Sequence, residues 1–381
     1  MKKPLLSAAK AHDLIKKYGA PLYVYRRDVI ATRYQEFDRA IRWPKKRIFY
    51  ACKANANTSI LQLLRKLGAS IECVSRGEVE RAMQAGFPAT RISYTCSNIP
   101  RTELEWLIRK KVSVYIDSLN QLEWWGQLHP NSDVSIRLNL GYGDGGHKHL
   151  TTGGEDSKFG IYHGDITKVK RIAHQYNLRI VGLLQHIGTS VKKPHSLLRA
   201  MSLVFDAASQ FPDLQYLDFG GGFSIPYRPE EQTLDLPELG KKVSTSFAAF
   251  CKRYGRELEL RTQPGRYVVA EAGALIAPVI DIKENPGNTF VGINSGFSHL
   301  IRPVLYGAYH HIFNLSNQKG RLKKVHIVGS LCESADFLAK NRSLPTPRIG
   351  DVLLIADSGA YGYSMASDYN LREKPKEIVI D

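Results

Sequence analysis

The stretch Ile48-Phe49-Tyr50-Ala51-Cys52-Lys53-Ala54-Asn55-Ala56-Asn57 decides how this chain is read. An apolar run that stops at a lysine and then at asparagines predicts a buried strand ending at a polar rim. A lysine at the end of such a strand is held rigidly and partly desolvated, which favours the neutral amine that a Schiff base needs.

Working outward from Lys53, eight short apolar runs follow one another between residues 40 and 266, at 47–53, 70–74, 91–95, 112–117, 134–140, 180–186, 215–219 and 257–262. Helix-like segments lie between most of them, such as Thr58 to Leu67, Gly77 to Ala85, Arg101 to Arg109 and Leu197 to Ser209. Strand–helix alternation on this scale predicts a (β/α)8 TIM barrel, with a doubly wound sheet as the competing architecture. Nearly every run ends in polar or glycine residues (CKAN, ECVS, TCSN, IDS, LNLG, QHIG, GGG, QPGR), where barrel enzymes place their chemistry.

After Arg266 the pattern changes. Tyr267–Ile282, Thr289–Ile293, Lys324–Val328 and Val352–Ile355 read as strands without regular helices between them, so a second, mostly β domain is expected. The domain reading is therefore 27–266 as the barrel, with 1–26 and 267–381 as a β-rich domain that completes the active site. The strand-like Leu22-Tyr23-Val24-Tyr25 is expected to join the latter.

Composition narrows the function classes. The chain has 381 residues, 43% of them hydrophobic, which suits two folded domains. Cys52, Cys73, Cys96, Cys251 and Cys332 are odd in number and form no CxxC pair, against a disulfide framework or a zinc site. No membrane-length apolar run is present, and the opening MKKPLLSAAKAHDLIKK reads as an ordinary first helix, so a cytoplasmic protein is expected. The net charge of +17 is spread in pairs such as Lys16-Lys17, Lys110-Lys111 and Lys192-Lys193, with one triplet at Lys45-Lys46-Arg47. Without a nucleic-acid-binding motif this reads as a solvated basic surface, and nucleic acid is the last-ranked partner.

Three stretches suit an anion: His186-Ile187-Gly188-Thr189, Gly220-Gly221-Gly222 and Gln263-Pro264-Gly265-Arg266. A reactive amine with several anion-cradling loops points to a phosphorylated aldehyde, pyridoxal 5'-phosphate. In order, YACKANAN (50–57), HLTTGGEDSKFGI (149–161), HIGTS (186–190), LDFGGGFSIPY (217–227), QPGR (263–266), HLIRPVLYGAYH (299–310), CESAD (332–336) and GAYGYSMASDYNLR (359–372) span almost the whole chain. Together they resemble the diaminopimelate decarboxylase branch of the pyridoxal phosphate enzymes with an alanine-racemase-like barrel, the group IV decarboxylases.

The resemblance implies a role for each matching residue. Lys53 is implied to carry the cofactor, His186 to stack on its ring, and Thr189, Gly220, Gly221, Gly222, Gly265 and Arg266 to line its binding site. Tyr361 is implied to touch both phosphate and substrate. Arg266, Arg302, Tyr306 and Glu333 are implied to select a substrate end bearing both a carboxylate and an ammonium, as meso-diaminopimelate does. Cys332 is the implied acid that reprotonates the carbanion after CO2 leaves. The family's two-fold dimer implies that Cys332 and Glu333 come from the partner subunit, and that Lys158 pairs with Asp336 across the interface.

The chain departs from the pattern at Gln263, where relatives usually carry a Glu facing the pyridine nitrogen. Exchanging a charged for a neutral hydrogen bond loses roughly 1–2 kcal/mol, about tenfold in rate if it falls wholly on the barrier. A slower decarboxylase is expected, unless Glu257, Glu259 or a shifted register supplies the acid. Ala335 stands for the usual glycine of CESGD, and Thr189 for a serine. The sequence leaves three readings: decarboxylation of meso-diaminopimelate to L-lysine and CO2, the same chemistry on a siderophore or polyamine precursor, and a non-catalytic pyridoxal-phosphate-binding relative.

Overall fold

The computed structural model describes residues 3–144, 152–189 and 194–381. His149 to Thr151, Ser190 and the pair Lys192-Lys193 lie outside the described residues. The chain divides into two compact units, one of residues 34–224 and 234–265, the other of 1–33, 225–233 and 266–381.

The first unit is a closed barrel of eight parallel strands. They are Lys46–Ala51, Ser70–Cys73, Ile92–Thr95, Ser113–Ile116, Asp133–Asn139, Arg179–Leu184, Tyr216–Asp218 and Glu259–Thr262. Each pairs with the next, and the last returns to the first with Thr262 opposite Ile48. This closure excludes the doubly wound alternative. The strands read as near-continuous apolar runs because both faces are covered, as the complete burial of Ser70–Cys73 and Ile92–Thr95 shows.

The helices begin where their sequences provide caps. Asn57 accepts from the Ser59 N–H ahead of Thr58–Lys66, and Ser75 accepts from Glu78 ahead of Arg76–Gln84. Ser118 does the same for Gln121 at the start of Leu119–Leu128, and Gln121 in turn accepts from the Asp117 N–H. Such reciprocal caps satisfy donors that a helix leaves open, each contributing about 1 kcal/mol. Three further helices, Arg101–Lys110, Ile166–Gln175 and Pro194–Ala208, and the longest one, Leu236–Tyr254, complete the alternation.

In the second unit a mixed sheet runs in the spatial order Ile312–Asn314, Val352–Ile355, Gly273–Asn285, Asn288–Ile293, Leu322–Val328, Phe337–Pro345. Leu22–Arg26 joins it, antiparallel to the start of Gly273–Asn285 and parallel to Lys376–Ile380. One expectation needs correction: Tyr267–Ile282 is not a single strand. Arg266–Val269 is a helical turn closed by the Ala270 N–H on the Arg266 carbonyl (2.9 Å), and pairing starts only at Gly273. Gly273 passes so close to Gly359 that a Cβ there would lie 2.3 Å from the Gly359 Cα, so the strand begins where only glycine fits.

Candidate functional site

Lys53 does not end its strand. The strand stops at Ala51, and Cys52–Ala54 forms a 3-10 turn that lifts the lysine above it. The Lys53 Nζ donates to Glu72 Oε2 at 3.0 Å, with the lysine side chain 37% exposed and the Glu72 side chain 2% exposed. This corrects the expectation of an amine made neutral by burial: a buried carboxylate at contact distance stabilises the ammonium. Glu72 sits in the next barrel strand and was missed in the sequence, although a carboxylate inside a wholly buried run is a signal in itself.

Several rim loops converge in the same unit. The Gln263 N–H donates to the Gly220 carbonyl at 2.7 Å, and the Ala51 N–H to the Pro264 carbonyl at 3.1 Å. A Cβ on Gly220 would meet His186 Nδ1 at 2.9 Å, one on Gly221 would lie 2.3 Å from the Gln263 carbonyl, and one on Gly265 would meet the Ala54 Cβ at 3.0 Å. Gly220 and Gly222 also hold φ of +66° and +102°, in the region that favours glycine. Lys53, His186, the glycine triplet, Gln263 and Gly265 are thus drawn into one cup, and Thr189 stands half-buried three residues beyond His186.

His186 is neutral: burial, followed by the charges of Lys53 and Arg137, pulls its imidazole well below its ordinary value. Its Nδ1 is buried without a hydrogen-bond partner among the described residues. Such an orphan is costly unless the ring serves a ligand.

Beneath the cup lies Asp218, fully buried at the end of its strand. Its Oδ2 accepts from Tyr115 Oη at 2.9 Å and from Gln263 Nε2 at 2.9 Å, while its Oδ1 accepts from the Gly220 N–H at 2.9 Å. Burial raises its carboxyl to about 6, against the pull of these donors. Neither Glu257 nor Glu259 can stand in for the missing acid at position 263. Glu257 is exposed, and Glu259 opens its strand, paired with Arg47 at 3.1 Å and Arg261 at 2.5 Å. A strand's first residue lies at the opposite end of the barrel from its rim loop.

The second unit gathers Arg266, Arg302, Tyr306 and Tyr361 around two residues the sequence reading had not singled out, Tyr227 and His310. Arg266 donates to Tyr227 Oη at 2.7 Å and lies 4.9 Å from the Tyr361 ring centroid. Arg302 lies over the Tyr227 ring at 4.6 Å and donates to His310 Nε2 at 2.9 Å. Burial and then the Arg302 charge hold His310 neutral, its Nδ1 donating to the Ala356 carbonyl at 2.8 Å, so Nε2 is left as an acceptor. Arg266 and Arg302 are only 5% and 4% exposed, no carboxylate pairs with either among the described residues, and both Nε atoms lack a partner. Two buried cations of one sign without a counter-ion fit a site built for an anion. Tyr361 adds a strained backbone, with φ of +57°, and Tyr306 closes the short helix Arg302–Tyr306 that opens at Arg302.

Cys332 and Glu333 stand apart from this cluster, on a loop exposed through Ala335. The Cys332 N–H donates to Asn370 Oδ1 at 2.9 Å. Asp336, by contrast, is buried and organises the loop, accepting from the Phe297 N–H at 2.7 Å and the Leu331 N–H at 2.9 Å. Lys158 is exposed, its ammonium 5.2 Å from the Phe159 ring.

A lysine above a parallel barrel, a glycine-walled cup and a neutral imidazole share the first unit, and residues 27–270 match the family described as "Pyridoxal-dependent decarboxylase, pyridoxal binding domain". Diaminopimelate decarboxylase of Methanothermobacter thermautotrophicus is 36% identical over 99% of this chain and 90% of its own. A crystal structure of diaminopimelate decarboxylase superposes with a TM-score of 0.93 at 31% identity, covering 100% of this chain and 93% of that one. The Helicobacter pylori enzyme complexed with L-lysine gives 0.90 at 30% identity, over 97% and 94%. The chain belongs to the diaminopimelate decarboxylase family. No helix among the described residues is long and apolar enough to cross a membrane.

Proposed function

We propose that this protein is a pyridoxal 5'-phosphate-dependent carboxy-lyase of the cytoplasm that converts meso-2,6-diaminopimelate to L-lysine and CO2. The observation that carries the reading is the pair of buried guanidiniums, Arg266 and Arg302, which pair with no carboxylate among the described residues, in a chain related over 99% of its length to a diaminopimelate decarboxylase. The orphaned His186 Nδ1 and the cup that a Cβ on Gly220 or Gly221 would fill suit a flat, phosphorylated group.

When bound, pyridoxal phosphate supplies a carbonyl that reacts with amines and a ring that accepts the electron pair released with CO2. Lys53 anchors it once its amine has given up a proton to solvent, and Glu72 at 3.0 Å orients the lysine side chain. His186 stacks without adding charge, and Gly221, Gly222, Gly265 and Thr189 offer donors to the phosphate, with Tyr361, while Gly220, whose N–H is given to Asp218, leaves room for its close approach. Arg302, held by neutral His310, and Arg266, held by Tyr227, grip the distal carboxylate, beside Tyr306.

Glu333 receives the distal ammonium. As the bond to the departing carboxylate breaks, Cys332 Sγ delivers a proton to the same carbon and is later reprotonated from solvent. Exposure of Cys332 and Glu333 in the single chain supports their donation to a partner subunit in a homodimer. In that dimer Lys158 of one protomer reaches lone pairs of Asp336 of the other that its two backbone donors leave open.

Protein purified with pyridoxal phosphate is assayed for CO2 and lysine from meso-diaminopimelate and from larger carboxylated diamines. Lysine from the first substrate alone is expected. Bound cofactor with no turnover of any of them would overturn the reading.

A further inference from the structure

We propose that Asp218 is a positioning residue that makes Gln263 work as an acceptor: it holds the amide nitrogen and leaves Oε1 to receive an N–H from the cofactor's ring nitrogen. The inference rests on the pyridoxal phosphate reading above and explains how a neutral side chain at position 263 can serve where the resemblance leads one to expect a carboxylate.

The direction of every bond in the network follows from chemistry. A guanidinium only donates, and Arg261 Nη1 lies 3.4 Å from Tyr115 Oη, so the phenol accepts there and gives its own proton to Asp218 Oδ2. Burial and then the charge of Asp218 hold that phenol protonated, well above its ordinary value. The Gly220 N–H fills Oδ1 at 2.9 Å.

Asp218 therefore acts as an acceptor on both oxygens, and the only end of Gln263 it can take is the NH2, 2.9 Å away. The amide cannot flip without setting two acceptors against each other. Its Oε1 makes no hydrogen bond among the described residues.

An acceptor presented in this way matches a ring nitrogen only when that nitrogen carries a proton, which is the form that accepts electrons. An amide free to turn would offer its NH2 equally well and stabilise the unprotonated ring. The negative charge behind the amide also polarises it, so a neutral side chain passes on part of the effect of a carboxylate.

The test uses holoprotein reconstituted with pyridoxal phosphate isotopically labelled at the ring nitrogen and read by nitrogen NMR. Wild type is expected to show a protonated ring nitrogen at neutral pH. Asp218→Asn, whose own amide frees Gln263 to turn, is expected to shift the resonance toward the unprotonated position and to lower kcat about tenfold. Gln263→Leu is expected to give the same shift with Asp218 intact. In Asp218→Asn combined with Gln263→Glu the protonated signature is expected to return, because a carboxylate needs no orientation.

A wild-type resonance in Asp218→Asn overturns the proposal, and so does one in Gln263→Leu, which also covers failure of the Asp218 variant to fold. Absence of lysine-bound cofactor absorption in wild type, compared with Lys53→Ala, sinks the cofactor reading instead. Cofactor bound through Lys53 with an unprotonated ring nitrogen sinks only the role of Asp218.

Discussion

Arg302 is held by its neighbours for a negatively charged partner. Arg302 has a neutral histidine on one side and an aromatic face on the other, so its charge awaits a carboxylate. Arg302→Lys keeps the charge but loses the planar fork, and we expect kcat/KM to fall on the order of a hundredfold, about 3 kcal/mol, with most of the loss in KM. Steady-state kinetics on meso-diaminopimelate check this, and an unchanged KM would show that the substrate carboxylate binds elsewhere. Gln263→Glu places a full charge near the ring, with the already elevated Asp218 able to take up the proton the pair must share. Turnover is expected to rise by up to about tenfold. Unchanged turnover and an unchanged absorbance spectrum would refute the idea of a weakened electron sink. Asp218 also predicts a pH effect. Folding raises its carboxyl from 3.8 to about 6, so the folded chain binds that proton more tightly than the unfolded one. Its ionisation between those values costs the folded state up to about 3 kcal/mol. Stability of cofactor-free wild type should therefore fall relative to Asp218→Asn as pH rises from about 4 to about 7. Denaturant titrations at both ends that gave a constant difference would contradict this.

Among the elements, the helix Leu236–Tyr254 sets propensity against packing. Alanine is favoured over glycine inside a helix by about 1 kcal/mol, which on its own predicts that Gly240→Ala stabilises. A Cβ there would lie 2.1 Å from the Ala40 carbonyl oxygen, and forcing that contact apart costs more, about 1–3 kcal/mol. The variant is expected to melt several degrees lower, and a higher Tm would show that the helix is free to move away. The barrel strands were legible in the sequence because each is an apolar run of its own length closed by polar residues. Phe337–Pro345 was not, since Lys340, Asn341 and Arg342 interrupt it and its one partner is Leu322–Val328. Lys376–Ile380 pairs with Leu22–Arg26 from the far end of the chain, which no local pattern announces.

For the whole molecule, the exposed Cys332 loop leads to a test by mixing. If the thiol serves the other protomer, Lys53→Ala and Cys332→Ala are each inactive alone, yet subunits exchanged between them recover activity in hybrids with one intact site. Recovery by subunit exchange, with a dimer seen in sedimentation, is the expected outcome. Failure of exchanged hybrids to recover any activity would place Cys332 in its own protomer's site or outside the chemistry. The charge of +17 finds no concentrated patch in the sequence beyond Lys45-Lys46-Arg47, and Lys46 there is spent on Asp38 at 3.2 Å and Arg47 on Glu259 at 3.1 Å.

Read alone, the sequence determined the strand–helix alternation, the β-rich remainder and most of the chemical inventory, because strand periodicity and rim motifs are local properties written in consecutive residues. Only the tertiary structure decided which partners those residues have. Lys53 meets Glu72, Gln263 meets Asp218, and Arg302 meets His310 and Tyr227. Hydrogen-bond direction and charge state depend on those neighbours, and closing a barrel brings together residues that the chain itself keeps far apart.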